Sequence, residues 1–175
     1  MSHSLMAGNM EIAGILIDAL KFIFPAYCAN AVPVIAGGGR PIDFGRKFLE
    51  GKPVFGKNKT FRGFFFGLMI GLIAGYAETL LFGYPLFLGL LTSSGALFGD
   101  LIGAFMKRRL GFAPGGMLPI VDQVDFIVGA VLVSFPVYGY MLYWELVIAV
   151  LVITPPIHLL TNFFAYRLGL KNNPW

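Results

Sequence analysis

The feature that most constrains this chain is a series of apolar runs, each long enough to cross a membrane. Hydrophobic residues make up 57% of the 175 residues, charged residues only 13%, and the mean hydropathy is +0.78. A helix needs about 20 residues to cross about 30 Å of hydrocarbon. Lipid offers backbone groups no hydrogen-bond partner, so such runs fold as helices. The sequence predicts an all-α integral membrane protein with about five transmembrane helices, in a single domain over residues 1–175.

The predicted spans cover residues 12–35, 64–82, 86–106, 126–143 and 146–168. Proline removes a backbone donor, and a buried polar side chain needs a partner, so we expect the first and fifth helices to be broken. The positions concerned are Pro25, Asn30, Pro33, Pro155, Pro156 and His158. We interpret His158 as a bonded packing residue rather than a ligand. Glycine at every fourth residue of the second and third spans predicts that these two helices pack closely as a hairpin.

The basic residues predict an orientation. Every lysine and arginine except Lys21 falls in the loop after the first span, in the loop after the third, or close to those loops and the C-terminus. Cytoplasmic loops carry an excess of such residues. We therefore expect a multi-pass protein of the cell membrane, with both long loops forming a polar site that faces the cytoplasm.

Carboxylates and cations are concentrated in residues 99–125. Asp100 lies inside the third span, and Asp122 and Asp125 are three residues apart at the start of the fourth. Lys107 is two helical turns from Asp100, so the two residues share a helix face, with Asp100 about 10 Å deeper. An ionised aspartate at that depth costs a few kcal/mol, which leaves a structural ion pair and a functional site as alternatives. For Asp122 and Asp125 the alternative is helix capping.

Three carboxylates brought together repel one another, and a divalent metal ion relieves that repulsion. Mg²⁺ prefers carboxylate oxygens, water and substrate phosphates. The neighbouring cations, Lys107 and Arg108, would favour a metal ion that is bound to a polyphosphate. The pattern predicts a phosphoryl- or nucleotidyl-transfer site with Asp100, Asp122 and Asp125 as metal ligands.

The end of the first long loop adds a second set of candidate residues. Lys57, Lys59, Thr60 and Arg62 lie where the second span begins. A helix N-terminus with several cations favours phosphate binding. For Asn30 the sequence supports two interpretations equally: its side chain lines the site, or it bonds to a neighbouring helix.

No nucleophilic side chain stands beside an obvious base, which argues against a covalent mechanism. A lipid phosphate monoester needs no such help, because its second pKa is near 6 and it is already largely dianionic. Its oxygen could attack the α-phosphorus of a nucleoside triphosphate directly.

Several short motifs together resemble a known family. They are Pro25-Ala26, Ala29-Asn30, Asp43-Phe44-Gly45, Lys59-Thr60-Phe61-Arg62-Gly63, Gly99-Asp100-Leu101, Lys107-Arg108 and Asp122-Gln123-Val124-Asp125. The last three are similar to the signature of membrane CTP:phosphatidate cytidylyltransferases, and the whole set resembles the archaeal branch, the CDP-archaeol synthases. Gln123 and Ala104 depart from the bacterial signature, which has arginine and serine there. We interpret Gln123 as a marker of the archaeal branch.

The resemblance implies a membrane enzyme that uses CTP and Mg²⁺ to convert an unsaturated archaetidic acid, 2,3-bis-O-geranylgeranylglycerol 1-phosphate, into its CDP-lipid. Metal and catalytic roles then fall to Asp100, Asp122 and Asp125. The phosphate contacts fall to Lys59, Thr60, Arg62, Lys107 and Arg108. The expected partners are CTP, an isoprenoid ether lipid phosphate and the bilayer, with no nucleic acid, and a homodimer is a possible assembly. A transporter or cation pathway with an intramembrane aspartate is the alternative.

Overall fold

The computed structural model describes the backbone of residues 2–113 and 116–174, and the side chains of residues 10–113 and 116–174. Within these residues the chain is all-helical. Its elements are α1 (Ser2–Ala36), α2 (Phe61–Phe82), α3 (Leu86–Arg109), α4 (Val121–Tyr138), a short 3₁₀ turn (Gly139–Met141) and α5 (Trp144–Arg167). Five helices of the described part are long and apolar enough to span a membrane. The predicted fold class and number of spans are confirmed.

The expected helix breaks are wrong. Both α1, with Pro25 and Pro33, and α5, with Pro155 and Pro156, are continuous. A break would expose further backbone groups where no water can bond them, whereas each proline removes only one donor. His158 of α5 does pack and bond as interpreted: its ring lies 5.8 Å from that of Phe126, and Asn162 contacts its nitrogens.

The glycines at every fourth residue form a ridge on α2 and another on α3. Close packing of α2 on α3 is confirmed, since Gly75 lies against the backbone of Gly89 and Gly71 lies against Ser93. The start of the α2 ridge also faces α1, where Gly67 lies against the Ala29 carbonyl. The α3 ridge faces α4, with Gly95 against the backbone of Gly129. Because glycine lets backbones approach within van der Waals contact, α3 is held between α1, α2 and α4.

Large apolar side chains fill the centre of the bundle. Phe22 and Ile23 of α1, Phe126 and Ile127 of α4, and Val150 of α5 are almost completely buried there. Apolar side chains at the periphery stay exposed, as in helices that face lipid. Both long loops join their helices at one end of the bundle, so the polar residues of α3 and α4 lie beneath them.

The first long loop, residues 37–60, is a compact folded segment. The carboxylate of Asp43 accepts hydrogen bonds from the backbone N–H groups of Gly45, Phe55 and Gly56 at 2.9–3.0 Å. Burial raises the pKa of Asp43, but these hydrogen bonds outweigh burial, and the net effect lowers the pKa. Asp43 therefore holds the loop in shape as an ionised group.

Candidate active site

The site begins with an ion pair between the first loop and α3. Backbone hydrogen bonds from Ile42 N–H to the Lys59 carbonyl, 2.8 Å, and from Phe61 N–H to the Arg40 carbonyl, 3.1 Å, fix the chain around Lys59. Its Nζ lies 2.6 and 2.5 Å from the two carboxylate oxygens of Asp100. Asp100 therefore has the cation partner that its depth requires, and the partner comes from the first loop.

A second ion pair joins the end of α3 to the start of α4. Lys107 Nζ lies 2.8 Å from Asp122 Oδ2, which also accepts a hydrogen bond from the Leu118 N–H at 3.0 Å. Lys107 donates to the Gly116 carbonyl as well, at 3.3 Å. These contacts of Lys107 hold the loop after α3 against the C-terminal end of that helix. The sequence pattern of this loop indicates a glycine-proline turn, and its residues Pro114 and Gly115 lie outside the described residues.

Helix capping explains little of the Asp122 and Asp125 pair. The residue before α4 is Ile120, which makes no side-chain cap hydrogen bond. Asp122 instead accepts the Leu118 N–H through Oδ2, which closes the turn before α4, and among the described residues Asp125 Oδ1 accepts from the adjacent Phe126 N–H, 2.7 Å. Capping is therefore a minor part of what these two carboxylates do.

Asp125 occupies a notch that glycine makes in α3. A methyl group at Gly103 would collide with the Asp125 carboxylate, and one at Gly99 with the Asp125 carbonyl. The carboxylate of Asp125 lies within electrostatic range of Asp100, Asp122 and Lys59. The α3 ridge therefore brings all three predicted carboxylates into one region of the molecule.

The three carboxylates are close but are not arranged as a finished metal site. No group of three His, Cys, Asp or Glu side chains among the described residues has the geometry to hold a metal ion. Asp100 and Asp122 are each neutralised by a lysine instead. Oδ1 of Asp122 is nevertheless buried, with no hydrogen-bond partner in the described part of the chain. The three carboxylates therefore retain one buried oxygen without a hydrogen-bond partner in the described chain, and a carboxylate oxygen is the kind of ligand that Mg²⁺ prefers.

Arg108 and Arg109 both have buried Nε and Nη1 atoms with no hydrogen-bond partner among the residues described. They differ in their other contacts. Arg109 donates to the Pro53 carbonyl at 2.6 Å, pairs with Glu50 at 3.5 Å and stacks on the rings of Phe48 and Phe105, so it anchors the first loop. Arg108 is only 4% exposed and has no such anchor in the described part of the chain, and because buried donors are normally satisfied, its guanidinium suits an anionic ligand.

The other predicted residues are less engaged. Thr60 is the N-cap of α2, and its hydroxyl oxygen accepts the Gly63 N–H at 3.1 Å. Lys57 and Arg62 are exposed beside it. Asn30 is half-buried in α1, and its side chain makes no hydrogen bond to another described residue. Among the described residues, the side chains of Lys57, Arg62 and Asn30 therefore have no partner that would explain their positions.

Lys171 joins the site and was missed from the sequence. The chain reverses after α5 because Gly169 adopts φ 73°, and the N–H groups of Gly169 and Leu170 bond back to Tyr166 and Ala165 at 3.0 and 2.9 Å. This turn leaves Lys171 half-buried, within electrostatic range of the carboxylates and lysines of the site. Burial, and then the charges of Lys59 and Lys107, lower its pKa. Gly169, directly after the last residue of the predicted fifth span, was the available signal.

Similar proteins are known. A family model described as CarS-like, CDP-archaeol synthase, matches residues 12–175. The chain is 44% identical over 180 residues to a CDP-archaeol synthase of Methanococcus aeolicus, covering 95% of this chain and 100% of the relative. It is 44% identical over 171 residues to one of Pyrococcus abyssi, covering 91% and 98%. A solved structure of an intramembrane enzyme for archaeal membrane lipid biosynthesis superposes with a TM-score of 0.74 at 35% identity, covering 84% of this chain and 94% of that one.

Proposed function

Because the chain belongs to the CDP-archaeol synthase family, we propose that it transfers the CMP moiety of CTP to an unsaturated archaetidic acid, 2,3-bis-O-geranylgeranyl-sn-glycerol 1-phosphate, giving CDP-archaeol and pyrophosphate. The observation that carries this proposal is a pair of unsatisfied groups, one at the end of α3 and one at the start of α4. The buried Nε and Nη1 of Arg108 and the buried Oδ1 of Asp122 lack hydrogen-bond partners in the described structure, and two lysine–aspartate pairs accompany them. Donors and an acceptor of this kind suit a phosphate and a metal ion bound together.

The reaction needs little covalent chemistry from the protein. An oxygen of the lipid phosphate forms a bond to the α-phosphorus of CTP, while the bond from that phosphorus to the bridging oxygen of the β-phosphate breaks and pyrophosphate leaves. No proton has to be removed, because the lipid phosphate is largely dianionic near neutral pH. Charge stabilisation and alignment are therefore the main tasks of the residues around the site.

We assign those tasks by the surroundings of each residue. Lys59 and Lys107, now paired with Asp100 and Asp122, are proposed to contact the substrate phosphates, and Arg108 offers unpaired donors for the same role. Lys171 adds a further cation from the tail. Lys57, Thr60, Arg62 and Asn30 are proposed as outer contacts to the nucleotide, at the N-terminus of α2 and the C-terminal half of α1.

Asp100, Asp122 and Asp125 are proposed to hold Mg²⁺. The donor set fits, because all three are carboxylates gathered by the α3 ridge and one oxygen is free and buried. When bound, the ion supplies charge neutralisation on the polyphosphate. The three aspartates would hold the ion in place, and Lys59 and Lys107 would then be available to contact the phosphates.

The site is proposed to face the cytoplasm, where CTP is available. Lysine and arginine are concentrated in the two loops and the tail at this end of the bundle, as the positive-inside rule requires. Broken first and fifth helices and an intramembrane aspartate were the two grounds for the transporter alternative. Both α1 and α5 are continuous, and Asp100 is paired with Lys59, so we do not retain it.

The test is pyrophosphate release by the purified protein. We expect release only when CTP, Mg²⁺ and the geranylgeranyl ether phosphate are all present, with loss of activity on addition of EDTA. ATP, GTP and dCTP serve as parallel nucleotides. Folded protein that releases no pyrophosphate with any nucleotide would overturn the proposal.

A further inference from the structure

The first loop carries an apolar edge that the described protein leaves largely exposed. The edge consists of Phe44, Phe48 and Leu49, whose side chains are 50%, 41% and 92% exposed. Exposed apolar side chains are expected on helices that face lipid, but these three lie in the polar loop that contains Lys59. Clustered apolar residues on a loop mark a surface that binds something.

Backbone hydrogen bonds within the loop hold this edge in an exposed position. Phe48 N–H bonds to the Lys52 carbonyl at 2.8 Å, and Val54 N–H bonds to the Arg46 carbonyl at 3.2 Å, which makes a short hairpin. Gly51, at φ 74°, closes the turn. Leu49 stands at the tip of this hairpin. Its exposure is therefore fixed by backbone hydrogen bonds and is not the result of a loose chain.

Contacts with the helix ends set the depth of the edge. The ring of Phe48 lies edge-on to that of Phe105, 5.4 Å between centroids, and Phe105 is one turn before the end of α3. At 1.5 Å per residue that is about 6 Å inside the helix end. Phe44 packs on Phe61, the first residue of α2, at 5.3 Å. The edge thus lies level with the boundary of the membrane spans.

Cations accompany the edge. Arg46 and Lys47 are exposed in the same hairpin, and Arg40 lies over the ring of Phe44 at 4.5 Å. Apolar side chains next to lysine and arginine are the composition of segments that lie in the headgroup region. Such cations are attracted to an anionic lipid surface.

We propose that Phe44, Phe48 and Leu49 insert into the headgroup region of the bilayer that the protein spans, and that Arg46 and Lys47 hold anionic lipid headgroups there. The loop is continuous with Lys59, so lipid phosphates are concentrated beside the site. This consequence rests on the proposed function, because it requires the substrate to be an anionic lipid. The insertion itself does not.

The direct test is fluorescence in vesicles without nucleotide. Leu49→Trp is placed in a background in which Trp144 and Trp175 are phenylalanine, with Leu132→Trp, an exposed position on α4, as a lipid-facing reference. Vesicles of phosphatidylcholine, with or without phosphatidylglycerol, carry brominated acyl chains. We expect quenching of Leu49→Trp by bromine and protection from acrylamide, both stronger with phosphatidylglycerol. That increase should be reduced by Arg46→Gln with Lys47→Gln.

A Leu49→Trp signal open to acrylamide and untouched by bromine, with the Leu132→Trp reference quenched, would overturn insertion. An identical signal with and without phosphatidylglycerol would overturn the anionic preference. In the enzymatic arm, Leu49→Ser should raise the KM for the lipid several-fold and leave the KM for CTP unchanged. If the vesicle result holds but no turnover occurs, the proposed function fails and the interfacial loop stands.

Discussion

Lys107 Nζ lies 2.8 Å from Oδ2 of Asp122, so the last turn of α3 is tied to the first turn of α4. Both side chains are more than four-fifths buried. The other carboxylate oxygen of Asp122 is also buried and has no partner in the described chain. One aspartate therefore joins two helices and still offers a free oxygen to the site.

Replacement of this aspartate tests its role. Asp122→Asn should lower kcat at least 100-fold, because the amide keeps the shape but loses the charge that binds metal and orients Lys107. Asp18→Asn, in the exposed ion pair with Lys21 at the other end of the bundle, is the matched control and should leave kcat unchanged. Near-normal turnover by Asp122→Asn, with both variants inserted and folded, would limit Asp122 to a structural role.

The glycine notch provides a second test. Gly103→Ala places a methyl group against the Asp125 carboxylate, which must move. Overpacking costs about 1–3 kcal/mol of stability, and a displacement of about 1 Å in a catalytic group can cost about 100-fold in rate. We expect kcat to fall more than tenfold in steady-state assays. Gly14→Ala, where a methyl group meets open space, should behave as wild type; equal activity in both variants would contradict the notch.

The two neighbouring arginines should separate binding from stability. Arg108→Lys removes the planar set of donors and should raise the KM for CTP about tenfold or more. Arg109→Lys should lower thermal stability by loosening the first loop from Pro53, with little change in that KM. Titration with CTP and thermal unfolding of both variants measure the difference. The reverse pattern would exchange the roles assigned to Arg108 and Arg109.

The tail lysine can be compared with another tail cation. Lys171→Gln should reduce kcat/KM about tenfold, because it removes a positive charge near Asp100 and Asp122. Arg167→Gln removes the same charge from an exposed side chain that lies over Phe163, and should have little effect. Equal losses in the two variants would show that only the net charge of the tail matters.

The lowered pKa of Asp43 predicts that the stability of the first loop depends on pH. The pKa of Asp43 is lower in the folded loop than in the unfolded chain. The stabilisation is therefore complete above the unfolded value of about 3.9 and is lost as the pH falls through the folded pKa. Asp43→Asn should speed amide exchange of Phe55 and Gly56 at pH 7, and this difference from wild type should disappear at strongly acidic pH. A difference that persists there would contradict the ionic account.

The helices were predictable because hydropathy and length alone decide which segments lie in lipid. The second and third spans were placed to within three residues of α2 and α3 at each end. Proline effects were overestimated at Pro25 and Pro155, since helix propensities come from water, where a broken helix can be solvated. The partners of the glycine ridges depend on the arrangement of the helices in space, which sequence spacing does not specify.

The site was predicted in its residue types but not in its pairings. The need of Asp100 for a cation follows from its depth, whereas the choice of Lys59 depends on the fold of the first loop. Asp43 forms that fold through hydrogen bonds to residues more than ten positions away. Lys171 comes close only through the turn at Gly169, and no periodicity links it to Asp122.

The most direct measurement follows the oxygen atoms of the lipid phosphate through one turnover. The substrate is labelled with ¹⁸O on its phosphate, and the products are analysed by mass spectrometry. Attack of the lipid phosphate on the α-phosphorus of CTP predicts that all of the label stays in the CDP-lipid and none enters pyrophosphate. Label in pyrophosphate, or no CDP-lipid from folded protein with CTP and Mg²⁺, would contradict the account.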